Sequence, residues 1–201
     1  MIPPLHLVMH GVAVRKHSSA EGIAAIAGLD LAQIASTLAS AAAGGRVTEI
    51  DGKFLLTPAG FLILNGEYSR FYGLLRANTV FASAYDRFEV VNRDLKQIIT
   101  DWQTIEVGGR RLPNGHTDRE YDAKVIDRLG TLHERFDPIL AQLVGAVPRL
   151  DYYQAALITA LNKAEDGDSA WVSEVKIPSY HTVWFELHED LLRLLGRDRE
   201  E

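Results

Sequence analysis

Residues 45–60 read GRVTEIDGKFLLTPAG, and this stretch decides how the first part of the chain folds. Residues 46–50 and 53–56 are short β-prone runs separated by Asp51-Gly52, a pair that readily takes the positive φ values of a type I′ turn. A two-stranded hairpin is therefore expected. Thr57-Pro58 then predicts a helix start, with the threonine hydroxyl as cap and proline at the first helical position, where its missing N–H costs nothing.

Outward from the hairpin, the preceding sequence is punctuated by helix signals. Pro3 and Pro4 precede an apolar-periodic run, Leu5, Val8, Met9 and Val12, that reads as a helix ending near Lys16 and His17. Ser18 and Glu21 have the spacing of a capping box, which predicts a second short helix to Ala27, stopped by Gly28. Asp30 is placed as N-cap of a third helix over residues 31–43, stopped by Gly44-Gly45. On its helical wheel Leu31, Ile34, Ala35 and Leu38 form the expected buried stripe, which turns Gln33, Ser36, Thr37 and Ser40 outward.

This order of helix, helix, helix, hairpin and helix resembles the winged helix-turn-helix domain of MarR-type and PadR-type regulators. The landmarks are residues 23–29 (IAAIAGL), Ile34 to Leu38, Gly45-Arg46-Val47 and Leu56-Thr57-Pro58-Ala59-Gly60, and the resemblance covers residues 5–64. It implies binding of double-stranded DNA by a homodimer. Arg15, Lys16, Arg46 and Lys53 would hold phosphates, and Gln33, Ser36, Thr37 and Ser40 would read base edges. The residues themselves leave a second reading open. The third helix carries no Arg or Lys, and the wing tip is Asp51 with Glu49 nearby, so the same domain could serve as a protein-docking module.

The remainder of the chain reads as helical. Leu74, Phe81, Phe88, Leu95 and Trp102 recur at sevens, with Ala77, Ala84, Val91 and Ile98 three residues after the first four, which predicts one long helix. Residues 108–115 (GGRRLPNG) have loop composition. A second stripe follows, Val125, Leu129, Leu132, Phe136, Ile139 and Leu143, in which Asp137-Pro138 is expected to cap a new turn or kink the helix. Asp151 opens a further helix running to the acidic residues 165–168, and Pro178-Ser179 precedes a last one with Trp184, Leu187, Leu191 and Leu195. Short connections between four helices imply an antiparallel bundle. The expected fold is thus mostly α: a winged helix (three helices plus a β-hairpin wing) over residues 1–66, then a helical bundle over residues 67–201. The bundle is expected to dimerise through its heptad stripe.

Composition narrows the function classes. At 201 residues, 47% hydrophobic and 24% charged, the chain has the make-up of a globular protein, and the net charge of −6 falls entirely on residues 67–201. No cysteine is present, which removes disulfides, thiol nucleophiles and cysteine-bound zinc. The apolar runs are too short to span a bilayer and no targeting segment is visible, so a cytoplasmic protein away from membranes is expected.

His181, Glu186, His188, Glu189 and Asp190 crowd one segment without His-Glu-x-x-His spacing. His188 is read as a buried bundle histidine and the carboxylates as a solvated face. No metal, cofactor or catalytic residue is assigned, and a non-enzymatic regulator is expected. Phe88, Trp102, His133, Trp184 and His188 are the candidate lining of a small-molecule effector pocket, with plain aromatic core as the competing reading. Residues 100–103 (TDWQ) and 179–188 (SYHTVWFELH) are similar to a helical region of actinobacterial proteins related to phosphoenolpyruvate-utilising enzymes such as pyruvate phosphate dikinase. That resemblance implies an accessory or regulatory module. The Ser-His phosphocarrier motif of those enzymes is absent, so catalysis does not carry over.

Overall fold

The computed structural model describes residues 2–198, which are mostly helical with two separate two-stranded sheets. They divide into two compact units: residues up to Thr79 together with those from His188 onward, and residues Val80–Leu187. A boundary at residue 66 would fall inside a continuous helix, and the end of the chain returns to the first unit. No single helix among the described residues is long and apolar enough to cross a membrane.

In the first unit α1 (Pro4–Arg15) is the central element. Val8, Met9, His10, Val12 and Val14 are all buried, so it is covered around its whole circumference. Gly11 lets α2 (Ala20–Ala27) approach, since a Cβ there would lie 3.1 Å from a methyl of Ile23. The cap of α2 is Ser19, whose hydroxyl accepts from Gly22 N–H, and not Ser18 as the spacing suggested. Ser18 is drawn away because its backbone pairs with Phe54, accepting that residue's N–H at 2.8 Å.

Asp30 caps α3 (Leu31–Ala43) as expected, accepting from Gln33 N–H at 2.8 Å. Its buried stripe is narrower than the wheel predicts: Ile34, Leu38 and Ala41 are covered, while Leu31 and Ala35 are exposed. The helix meets the core of Val8, Val12, Ile23 and Ala27 along one seam, and residues one turn to either side of that seam stay in solvent.

The hairpin forms in the predicted register. β1 (Val47–Ile50) and β2 (Lys53–Leu56) pair antiparallel with Val47 opposite Leu56, and Asp51 and Gly52 both have positive φ. Thr57 then ties the hairpin to α4 (Pro58–Arg76). Its N–H donates to Arg46 O at 3.0 Å, its hydroxyl donates to Gly45 O at 2.7 Å, and the same oxygen accepts from Gly60 N–H at 3.0 Å. The close approach requires glycine at 60, where a Cβ would sit 1.9 Å from Arg46 O.

In the second unit α5 (Thr79–Gln103) begins later than the heptads imply. α4 ends at Arg76, the chain breaks at Ala77-Asn78, and Leu74 is 92% exposed. Asn and Thr bond readily to nearby backbone and so favour helix ends over interiors. From Phe81 onward the stripe is buried as expected: Phe81, Ala84, Phe88, Val91, Leu95, Ile98 and Trp102. Residues 108–115 are not simply loop. β3 (Thr104–Val107) and β4 (Arg110–Pro113) form a second hairpin around Gly108-Gly109, both with positive φ. Gly-Gly is a type I′ pair, but β4 is exposed throughout and shows no hydrophobic alternation to betray a strand.

α6 (Arg119–Ala146) runs through Pro138 without a new cap, because buried Phe136, Ile139 and Leu140 hold the helix on both sides of the lost hydrogen bond. It runs antiparallel to α5. Arg87 bonds Gln142, Arg135 bonds Asp94 and Arg128 bonds Asp101, a register stepping seven residues along each helix. A 3₁₀ turn (Pro148–Leu150) leads into α7 (Asp151–Glu165), short α8 (Ala170–Ser173) and α9 (Tyr180–Leu195), of which residues 180–187 belong to this unit.

Two of the three glycines of α4, Gly60 and Gly66, make opposite predictions. Gly60→Ala should cost about 2 kcal/mol or more by urea unfolding, as an overpacked backbone contact does. Gly66→Ala, with nothing within 4 Å of the new methyl, should stabilise by roughly 0.5–1 kcal/mol.

Candidate functional site

The eight residues expected to touch DNA fare unequally. Gln33, Ser36 and Ser40 are exposed on α3, and Thr37 is half-buried. Ser36 Oγ donates to Gln33 O and Ser40 Oγ to Ser36 O, each at 3.1 Å, so both hydroxyls are spent on their own helix. Lys16 and Lys53 are exposed, whereas Arg15 and Arg46 are half-buried. The outward face of α3 is otherwise Ala32, Ala35, Ala39, Ala42 and Ala43, without a charge of either sign. Leu31, Ile50, Leu62 and Ile63 are large apolar side chains left exposed in this unit.

The expected effector pocket is not assembled from the residues assigned to it. Phe88 stacks on Trp184 with centroids 5.1 Å apart, Phe136 contacts both, and Tyr180 stacks on Trp184 from its own helix. All four rings are buried, and the Trp184 N–H donates to Asn92 Oδ1 at 3.0 Å. They are a packed core. His133 is buried beside them, its Nδ1 3.1 Å from Tyr180 Oη. Desolvation is the largest influence on this histidine and lowers its pKa, against the opposing pull of Asp137, Glu165 and Glu134. His188 is buried in the first unit. Trp102 instead lines an open cleft with His116, Arg119, Asp122 and Glu165.

The polar cluster that the sequence reading missed lies in the first unit. His10 and Asp190 are both fully buried, with His10 Nε2 2.9 Å from Asp190 Oδ1. On the other side His10 Nδ1 lies 2.6 Å from Tyr68 Oη, and one turn earlier on α1 His6 Nδ1 is 3.0 Å from Glu67 Oε2. Burial pushes the Tyr68 phenol pKa up, with Asp190 adding to the effect and Arg193 opposing it. The phenol therefore stays protonated, and since the Asp190 carboxylate can only accept, the His10 Nε2–H donates to it.

Asp190 is thus not part of a solvated acidic face. The only sequence hint was the pair His6 and His10, four residues apart within an otherwise apolar helix. Tyr68 also lines a cleft of about 430 Å³ with Asn65, Ser69, Arg76, Arg193 and Arg197. Arg76 is already committed there, donating to Leu194 O, Arg193 O and Ser69 Oγ. Among the described residues no group of three or more His, Asp or Glu side chains is arranged to hold a metal ion.

No protein-family model, curated protein or solved structure matches this chain.

Two stability measurements probe these clusters. Asp190→Leu or His10→Leu alone should cost about 3–5 kcal/mol in urea unfolding, because each strands a buried polar partner, whereas the double replacement should recover much of that loss. For the second unit, the folded-state pKa of His133 lies below that of the unfolded chain, so the unfolded chain binds more protons. Its stability should then rise with pH in the range below about 6.5, the ordinary histidine value, and His133→Gln should flatten that rise. Burial lowers His181 in the same direction, so a residual slope is expected in the variant.

Proposed function

We propose that this chain is a non-enzymatic regulatory module whose first unit is a winged helix that docks on a protein and not on DNA. The observation that carries this reading is the exposed face of α3, which offers alanines, hydroxyls bonded to their own helix and no cation. DNA affinity rests mainly on Lys and Arg neutralising phosphates, and specific readout most often on Arg bidentate to guanine. A small-residue helix face lets another backbone come close, and Leu31 on the same helix is an exposed apolar side chain of the kind that protein partners cover. The similarity of residues 100–103 and 179–188 to a region of phosphoenolpyruvate-utilising proteins supports an enzyme of that kind as the partner.

The DNA reading retains one supporting observation. The Ser18–Phe54 bridge places exposed Lys53 beside the segment that carries exposed Lys16, giving a small cationic edge next to the hairpin. A homodimer would double that charge. The dimer itself loses its original basis, since the stripe from Phe81 to Trp102 is covered within the second unit.

A photo-crosslinking residue at Ala35, with one at Lys124 as control, tests the reading in source cells. Protein adducts at Ala35 and not at Lys124 are expected, and nucleic-acid adducts at Ala35 would overturn it. In parallel, a salt-dependent titration should show only non-specific DNA binding, weaker than about 10⁻⁶ M at physiological salt, unchanged in the Arg46→Ala/Lys53→Ala variant.

A further inference from the structure

The cleft beside Trp102 encloses about 700 Å³, within the range of roughly 300–1,000 Å³ usual for small-molecule sites. Ala123, Ile126 and Ala164 give it an apolar part, and its polar groups fall into donors and acceptors. Trp102 is only 3% exposed, but its indole N–H is not sealed off: unlike that of Trp184 it donates to no described residue, and it stays open to solvent. Arg119 also has no ion-pair or hydrogen-bond partner among the described side chains. The nearby cations are each engaged elsewhere: Lys124 with Glu120, Arg128 with Asp101, and Lys163 over the Trp171 ring at 3.7 Å.

The acceptors are held in place or left uncompensated. His116 has its backbone in the left-handed region at φ 54 and its ring 4.4 Å from that of Trp102. Its N–H donates to Asn114 Oδ1, and its Nδ1 is 3.0 Å from Asp122 Oδ2. The imidazole is thus held against Asp122 through Nδ1, which Asn114 Nδ2 also approaches at 3.3 Å. Asp122 is occupied by His116 and Asn114, but the carboxylates of Asp127 and Glu165, which line the same cleft, pair with no described side chain.

We propose that this cleft binds a small amino acid with an aliphatic side chain. Its carboxylate would take the Trp102 and Arg119 donors, its ammonium group the Asp127 and Glu165 carboxylates, and its side chain the surface of Ala123, Ile126 and Ala164. A ligand with one charge alone would engage only the donors or only the acceptors and so forgo half of the charged contacts. The site makes the second unit an effector-binding unit, and it stands whether the first unit docks on protein or on DNA.

Calorimetric titration of the full chain with L-valine, L-leucine, L-isoleucine and L-norleucine tests the site. Saturable one-to-one binding of at least one is expected, with the His116 ring resonances shifting in parallel. For a ligand such as L-leucine, the amine alone (3-methylbutylamine) and the acid alone (4-methylpentanoate) should each bind at least about tenfold more weakly. Arg119→Ala and the Asp127→Asn/Glu165→Gln pair alter exposed positions and should weaken binding comparably, with unchanged thermal unfolding of the free protein. Absence of saturable binding by all four amino acids would overturn the proposal. So would equal binding of either single-charge analogue, or undiminished affinity in both variants.

Discussion

The hydrogen bond between His10 and Asp190 joins the first helix to the last across 180 residues of sequence, in a place with no solvent. Neither group would be tolerated there alone, because a buried ionisable side chain without a partner costs several kcal/mol. The pair is completed by the Tyr68 hydroxyl on α4, so three helices distant in sequence must assemble together for any one of them to be satisfied. Such a network contributes less net stability than an apolar core of equal volume. It penalises any packing of α9 on α1 other than the one in which Asp190 meets His10.

The second unit applies the same logic with weaker groups. Trp184 reaches Asn92 with its indole N–H while its ring stacks with both Phe88 and Tyr180, so one hydrogen bond fixes the rotation of an otherwise apolar stack. On the surface the links Arg87–Gln142, Asp94–Arg135 and Asp101–Arg128 repeat at the heptad interval. Exposed ion pairs contribute little energy each, but a slip of α6 along α5 would break all of them at once. The apolar stripe supplies the energy, and the polar links select the register.

Burial of these stripes also determines what is left for function. Once Phe81 to Trp102 and the face of α3 bearing Ile34, Leu38 and Ala41 are consumed internally, the surfaces that remain are chemically distinct. One is the neutral, small-residue side of α3 with Leu31 exposed on the same helix. The other is the cleft at Trp102, where acids and one arginine are left without partners. Neither has the dense positive charge on which nucleic-acid affinity depends.

Local signals in the sequence determined the elements themselves. Asp51-Gly52, Thr57-Pro58 and Asp30 act through backbone groups a few residues away, so their consequences can be read without knowing the fold, and they appear where expected. The heptads from Phe81 likewise specify a buried stripe. Tertiary contact overrode local preference where a distant partner competed. Ser18 gave up its cap to pair with Phe54, and Leu74 fell outside the bundle because its helix ended at Arg76. The sites belong wholly to that second category. His10 with Asp190, and Trp102 with Glu165, are separated by long stretches of chain, and whether a histidine meets a carboxylate or water is decided by packing that no local pattern encodes.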